Sequence, residues 1–433
     1  MKYSILIAAL FLVLFGNLKA QNKLTFEQAL ALMLENNYDI LMAQVNEEIA
    51  ENSASKANNG FLPTLTGTGA YNWNRSGGGF ETRAETRELV PNNSYNYNLG
   101  ATLNYTIWDG QGRQFRYLQA KGSHQLSELQ LQLTIQNTVL ELSRIYHEVA
   151  RLEESVVALQ NALDISKDRM KRAEYAYDYG QAKQLDVLNA KVDLNADSIA
   201  VMTGNQELEN LKRNLNFIMG QEIGQDLLLD TVVGAYQLFV ESEVLLAAEQ
   251  NNLQLRLAKS NKNLSEYAIG ASRSSWLPTL GANAGYNYRG TDDPNGAFVL
   301  GSQNFGPQAG LSLSWNLFNG SANTQVKNAK LGLKNSQIEQ QSLEQNIKSE
   351  AMNACASYHN LLFVMKAQRD NVATAKDNFK RSEESYRLGQ INSIEFRQAQ
   401  LNLLNAEQAW STAKYDAKNA AYQVLAVMGT LVK

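Results

Sequence analysis

The chain has 433 residues, a net charge of −4, and only one cysteine, three histidines and five prolines. One cysteine excludes an intramolecular disulfide framework and a cysteine-based zinc site, and the near-balanced charge leaves no basic footprint for nucleic acid. The prolines are Pro63, Pro91, Pro278, Pro294 and Pro307, which leaves 92–277 and 308–433 free to hold uninterrupted helix.

At the N-terminus, Lys2 precedes an apolar run from Ile5 to Phe15, and Leu18-Lys19-Ala20 ends on a small residue. The pattern predicts a secretory signal over 1–20. The mature chain would begin near Gln21, without the cysteine that an N-terminal lipid anchor requires. No later apolar run reaches the roughly 18 residues of a spanning helix. An exported soluble protein or a β-barrel remains.

The chain repeats itself. Phe61-Leu62-Pro63-Thr64-Leu65 returns as Trp276-Leu277-Pro278-Thr279-Leu280, and the pair Asn36-Asn37 returns as Asn251-Asn252, both at an offset of 215. Trp108-Asp109-Gly110 matches Phe318-Asn319-Gly320, and Tyr179-Gly180-Gln181 matches Leu388-Gly389-Gln390. The mature chain is therefore a duplication: 21–225 forms one repeat and 226–433 the other.

Each repeat holds two segments of two-residue period. Tyr97, Leu99, Ala101, Leu103, Tyr105 and Ile107 fall on one face, against Asn98, Gly100, Thr102, Asn104 and Thr106 on the other. Similar alternation predicts strands over 62–75, 95–108, 277–290 and 305–318. The intervening 74–96 and 289–306 read as polar loops. Lengths near ten residues, aromatics near the strand ends (Trp73, Tyr97, Tyr105, Tyr288, Trp315) and a small-polar opposite face suit strands between lipid and a watery lumen. Four strands cannot close a barrel, so several chains must contribute: two would supply eight strands and three would supply twelve.

Gln111 to Tyr179 and Gly320 to Leu388 each span 69 residues without proline. As helices they would be about 100 Å long, a length that calls for coiled-coil partners. Leu142, Ile145, Val149, Leu152, Val156, Leu159 and Leu163 follow a 3–4 spacing. Leu185, Leu188, Val192, Asn195, Ile199 and Met202 are expected to continue that seam on a returning helix, 184–220. Helix 393–428 is its counterpart. Gly180 and Gly389 mark the reversals, and Asp109 and Asn319 are expected N-caps.

The duplicated plan of helix, two strands, long helix and returning helix resembles the TolC family of outer-membrane efflux ducts over essentially the whole mature chain. The paired Leu-Pro-Thr-Leu strand starts, the two strand-to-helix junctions and the hairpin tips 175–188 and 386–396 carry the resemblance. It implies a mainly helical fold with membrane β-structure: a homotrimer whose twelve-stranded barrel sits in outer-membrane lipid of a Gram-negative bacterium, with a long periplasmic extension. It further implies that 226–239, with Leu227-Leu228-Leu229, and the C-terminal segment form a belt. A periplasmic adaptor and an inner-membrane pump of RND, ABC or MFS type would be the partners in efflux or secretion. No cofactor, metal or nucleic acid is implied. A secreted or envelope coiled-coil adhesin would share the helices but would not need the strands.

No catalytic constellation is visible, as expected of a passive duct. His124, His147 and His359 lie apart on long helices and read as exposed residues rather than metal ligands. Cys355 reads as a small packing residue. At the tips, Asp186 and Glu395 each fall six residues after their turn glycine. They are either acids favoured by a helix N-terminus or, as the resemblance suggests, rings of carboxylates around a closed mouth. In a ring, like charges about 8 Å apart would cost about 2 kcal/mol per pair and attract cations. Family members of the best-known type carry a basic residue two after the second tip glycine, which helps to lock the mouth. Here that residue is Ile391, leaving Tyr386 and Arg387 as gate candidates. Gly180, Gln181, Ala182, Lys183, Gly389, Gln390, Ile391 and Asn392 are the expected adaptor contact.

Overall fold

A computed structural model of the protein describes residues 23–83, 85–294 and 300–432. The expected signal over 1–20 lies outside them. In chain order the elements are α1 (Phe26–Asn36), α2 (Tyr38–Ser53), β1 (Thr64–Glu81), β2 (Thr86–Trp108), α3 (Gly112–Asp178), α4 (Gln184–Ile218), α5 (Glu241–Asn251), α6 (Leu253–Ser274), β3 (Thr279–Asp292), β4 (Gly301–Ser314), α7 (Gly320–Arg387) and α8 (Ser393–Val427). The same order of two helices, two strands, a long helix and a returning helix occurs twice. Two units result. One draws on the described residues of Met1–Val45, Leu129–Arg256 and Ser342–Lys433, the other on Asn46–Glu128 and Leu257–Gln341.

The second unit contains a four-stranded antiparallel sheet of order β1-β2-β3-β4, in which β2 of the first repeat pairs with β3 of the second. Register decides what the sheet presents. Leu65 faces Leu103, Leu99 faces Tyr288, Ala101 faces Tyr286, and Ala282 faces Leu311, so the apolar sets of all four strands fall on one side. That side is open: Leu65, Tyr71, Leu99, Phe305, Leu311 and Leu313 are all exposed. Tyr71 stacks with Tyr95, and Tyr288 with both Tyr97 and Phe305, building aromatic ladders across strands.

The first hairpin departs from expectation. Pairing continues from Thr64↔Asn104 to Glu81↔Thr86, through a register shift between Ser76 and Gly78. Most of the segment expected as a polar loop over 74–96 is therefore strand. Backbone pairing needs no apolar side chains, so polar residues extend a hairpin beyond its apolar band. In the second repeat β4 stops at Ser314, short of the expected 318.

Asp109 and Asn319 act as caps at the strand-to-helix junctions. Arg113 N–H donates to Asp109 Oδ2 at 2.7 Å, and Ser321 N–H to Asn319 Oδ1 at 3.0 Å.

The helical unit holds two cores. Ala29, Met33, Leu142, Val149 and Leu215 of the first repeat form one, which Leu229 from the start of the second repeat completes; Val244, Leu255, Ile347, Ala351, Tyr358 and Val424 of the second repeat form the other. The repeated asparagines join these cores at corresponding points. Asn37 Nδ2 donates to the carbonyl of Ile218 at 2.8 Å, while its Oδ1 accepts from the N–H of Asp39 and Ile40. Asn252 repeats the arrangement with Val427 at 3.0 Å and with Gln254 and Leu255. Each asparagine thus starts one helix and ties it to the last turn of the returning helix. Gly220 and Gly429, at φ +65° and +68°, let the chain leave those last turns.

The seam expected along α4 is not the one that packs. Leu142, Ile145, Val149 and Leu152 of α3 are buried as expected, but Leu185, Leu188, Val192, Ile199 and Met202 are exposed. The buried face of α4 carries Ala190, Asp197, Val201, Gly204 and Leu208 instead. Small residues let the helices approach: a Cβ added at Gly204 would lie 3.2 Å from Val156 Cγ2. The larger aliphatic stripe is left free.

Between α4 and α5 the chain turns at Glu222–Gln225 and then runs without helix or strand apart from one bridge. Leu24 N–H donates to Leu228 O and Asp230 N–H to Leu24 O, forming a short parallel bridge. Tyrosine hydroxyls hold the rest, Tyr146 donating to the carbonyls of Leu24 and Asp230 and Tyr358 to that of Gln237.

Candidate functional site

Both helical hairpins turn through a left-handed glycine, Gly180 and Gly389, each at φ +72°. Each turn closes with a six-residue bond, Gln181 N–H to Ala176 O at 2.7 Å and Gln390 N–H to Ser385 O at 2.9 Å. Gln181, Lys183, Gln390 and Asn392 are exposed, while Ala182 and Ile391 are half-buried.

The returning helices begin with backbone-satisfying carboxylates. Asp186 Oδ2 accepts from Lys183 N–H at 3.0 Å, and Glu395 Oε2 from Asn392 N–H at 2.9 Å. Asn392 Oδ1 in turn accepts from Ile394 and Glu395 N–H, completing a capping box. Within one chain both acids are occupied as helix-start residues. The two gate candidates are also engaged locally: Tyr386 stacks flat on Phe396, with ring centres 4.8 Å apart, and Arg387 pairs with Glu383 at 2.9 Å.

Just behind the tips lies a cluster that periodicity did not reveal. Arg397 of α8 donates Nη1 to Asp197 Oδ2 at 2.7 Å and Nη2 to Asp197 Oδ1 at 2.8 Å. Ser166 of α3 donates to the same carboxylate at 2.6 Å. Arg169 Nη2, on a side chain 3% exposed, donates to Asp193 Oδ2 and to Ser393 Oγ, each at 3.0 Å. Gln400 Nε2 adds a bond to Ala162 O at 2.8 Å. Two arginines thus balance two aspartates, and three helices meet through them: α3 and α4 of the first repeat and α8 of the second. Charge-assisted bidentate bonds of this kind are the strongest side-chain hydrogen bonds available here. The cluster could have been suspected only from Asp197 and Arg397 occupying helix faces otherwise apolar.

Two of the three histidines depart from the sequence reading, while His359 is exposed as expected. His147 is buried, between Ser143 Oγ at 3.2 Å and Asn419 Oδ1 at 2.7 Å, and its ring stacks on Phe26. Burial pushes its pKa down to about 4, with Lys418 adding to the depression and the Asn419 and Ser143 hydrogen bonds opposing it. His359 bonds to the carbonyl of Phe239 at 2.9 Å. His124 stands 2.6 Å from Glu47 and 3.8 Å from Glu128, so it does have ligand-spaced partners, one on a helix remote in sequence. Cys355 is buried beneath Phe239, and burial raises its pKa, which suits a packing residue.

The family model described as outer membrane efflux protein matches residues 29–221 and 244–430, one stretch in each repeat. The chain is 22% identical over 403 residues to outer membrane protein TolC of Vibrio cholerae serotype O1, covering 92% of this chain and 89% of that one. It is 20% identical over 414 residues to the outer membrane efflux protein BepC of Brucella suis biovar 1, covering 94% and 86%. Among solved structures, the Campylobacter jejuni CmeC outer membrane channel superposes with a TM-score of 0.78 at 17% identity, over 94% of this chain and 86% of that one. A duplicated helix-and-strand fold, an exposed apolar sheet face and these matches over nearly the whole length together establish that the chain belongs to the outer membrane efflux protein family.

Proposed function

We propose that the protein is the outer-membrane duct of a tripartite efflux or secretion machine, a passive conduit rather than an enzyme. The observation that carries this reading is the β-sheet: four strands present a continuous exposed apolar face, and the sheet ends on two strands, β1 and β4, each paired on one side only among the described residues. A soluble protein does not leave such a face and such edges uncovered. Three copies joined edge to edge close twelve strands in outer-membrane lipid, with the neutral Asn, Ser and Thr positions lining the lumen. The free stripe Leu185, Leu188, Val192, Ile199 and Met202 on α4 supports contact between copies on the periplasmic side. An adhesin would account for the helices but leave the sheet face without a partner.

On this reading the tips Gly180 to Lys183 and Gly389 to Asn392 meet the adaptor, which couples the duct to an inner-membrane pump of RND, ABC or MFS type. The pump supplies the energy. The Arg397–Asp197 cluster ties the returning helix of the second repeat to the helix pair of the first. It takes the locking role for which Ile391 lacks the charge, and Asp186 and Glu395 line the closed mouth as acidic rings. The test is the mass of the detergent-extracted protein together with its behaviour in a planar bilayer. A trimer with a small, mostly closed conductance supports the duct; a monomer that needs no detergent and does not conduct refutes it.

A further inference from the structure

One cluster lies outside everything the duct requires. Glu47 of α2 and His124 and Glu128 of α3 bring one oxygen, one ring nitrogen and one oxygen within 4.8 Å of one another. His124 Nε2 is 2.6 Å from Glu47 Oε1 and 3.8 Å from Glu128 Oε1. His124 and Glu128 are four residues apart, so they share one face of α3, and Glu47 reaches them from α2 of the same structural unit.

We propose that Glu47, His124 and Glu128 form a binding site for a first-row divalent transition-metal ion of the Zn2+ class. Three features favour an ion over a plain ion pair. The first is spacing. Ligand atoms about 2.1 Å from a tetrahedral metal are about 3.4 Å from one another, and the separations of 2.6 and 3.8 Å lie on either side of that value, so small side-chain rotations suffice. The second is charge. Two carboxylate oxygens and an imidazole nitrogen are donors that a borderline dication accepts, and the two carboxylates match its charge. The third is exposure: His124 and Glu47 are only 20% and 25% exposed, which holds their geometry, while Glu128 at 51% opens the cluster to the water that would complete the coordination shell.

The duplication supplies an internal control. At the offset of 215 Glu47 corresponds to Lys262, and at the offset of 210 that aligns Gly122 with Gly332, His124 and Glu128 correspond to Lys334 and Ile338. The second repeat builds its equivalent helices without these donors. Packing of the helix pair therefore does not demand them, and the set is a property of the first repeat alone. The ion would act structurally at this position. Because α2 leads into β1 and α3 leaves β2, the metal clamps together the two helices that flank the first hairpin. Carboxylate and imidazole donors projecting from facing helices are a recurrent way of holding metals in helical bundles.

The test is titration of the chelator-treated, detergent-solubilised protein with Zn2+ by calorimetry, with Co2+ as a spectroscopic probe of tetrahedral ligation. One ion per chain is expected, with Mg2+ failing to compete. His124→Gln and Glu47→Gln should each weaken Zn2+ binding by more than about tenfold, at least the loss typical of disturbing a metal site. His359→Gln should leave it unchanged, and oligomer mass and helical content should match the parent in all three. Absence of stoichiometric Zn2+ binding by the parent overturns the proposal, as does parent-like binding by either His124→Gln or Glu47→Gln. The outcome does not depend on whether the protein conducts.

Discussion

Arg397 reaches across 200 residues of sequence to donate to both carboxylate oxygens of Asp197, at 2.7 and 2.8 Å, on side chains 13% and 9% exposed. Removing Arg397 leaves Asp197 with Ser166 alone, and removing Asp197 leaves Arg397 with the longer contact to Asp193 at 3.7 Å; breaking such a buried pair costs about 3 to 5 kcal/mol. If the pair holds the mouth closed, Asp197→Asn and Arg397→Gln each raise single-channel conductance or open probability. The apolar double variant Asp197→Leu with Arg397→Met recovers thermal stability without restoring the charged tie. Planar-bilayer recordings beside thermal melts separate the two effects, and closed-state currents equal to the parent in both single variants would remove the latch.

Asp186 and Glu395 can be separated from their capping duties. Gln serves in a capping box nearly as well as Glu, so Glu395→Gln should keep the helix start and its stability. Its effect on divalent-cation block of the channel then reports on the ring of charge. A weaker block is expected, and an unchanged block in Glu395→Gln and in Asp186→Asn would show that both acids serve the helix starts only.

The duplicated asparagines carry the most exposed prediction about stability. Asn37→Ala or Asn252→Ala removes a helix cap and leaves the carbonyl of Ile218 or Val427 without its donor, for a loss of about 2 to 3 kcal/mol at each site. Asp should not rescue, because it lacks the donor. Gly220→Ala and Gly429→Ala should be at least as harmful: besides the positive φ, the new Cβ would lie 2.3 Å from the carbonyl oxygen of Asn36 or Asn251. Thermal unfolding of the four variants checks this directly.

His147 should make the protein acid-sensitive. Its pKa is about 4 in the folded chain against an ordinary 6.5, so the unfolded chain binds the proton first. The associated stability is present above about pH 6.5 and is lost as pH falls toward 4, the loss reaching about 2 kcal/mol per chain at pH 5. Melting temperature should therefore drop between pH 7.5 and 5, and His147→Gln should flatten the drop even if it lowers the plateau. An equal drop in both proteins would assign acid sensitivity to other groups.

These residues also mark how much the sequence discloses. Two-residue and 3–4 periodicities locate strands and helices, because each buries or presents one face wherever it packs. The offset of 215 picked out the asparagines as a repeat, but their bonds to the ends of helices about 180 residues away are tertiary and leave no local signal. Glu47 and His124 are a comparable case, 77 residues apart with a hairpin between them. The stripe on α4 shows the opposite limit. Two apolar faces compete there, and small residues at Ala190 and Gly204, which add little to a hydrophobic count, decide which one packs within the chain.

The proposed duct requires three copies to join β1 to β4 and close a barrel. In one chain β1 and β4 are the two ends of the sheet, so a bond between them links different copies. With Cys355 replaced by Ser, Thr68→Cys on β1 combined in turn with Gln308→Cys, Gly310→Cys, Ser312→Cys or Ser314→Cys on the same face of β4 should give, at one register, reductant-sensitive bands that stop at three chains. Bands that continue beyond three, or no cross-link at any of the four positions in membranes, would contradict the closed trimeric barrel.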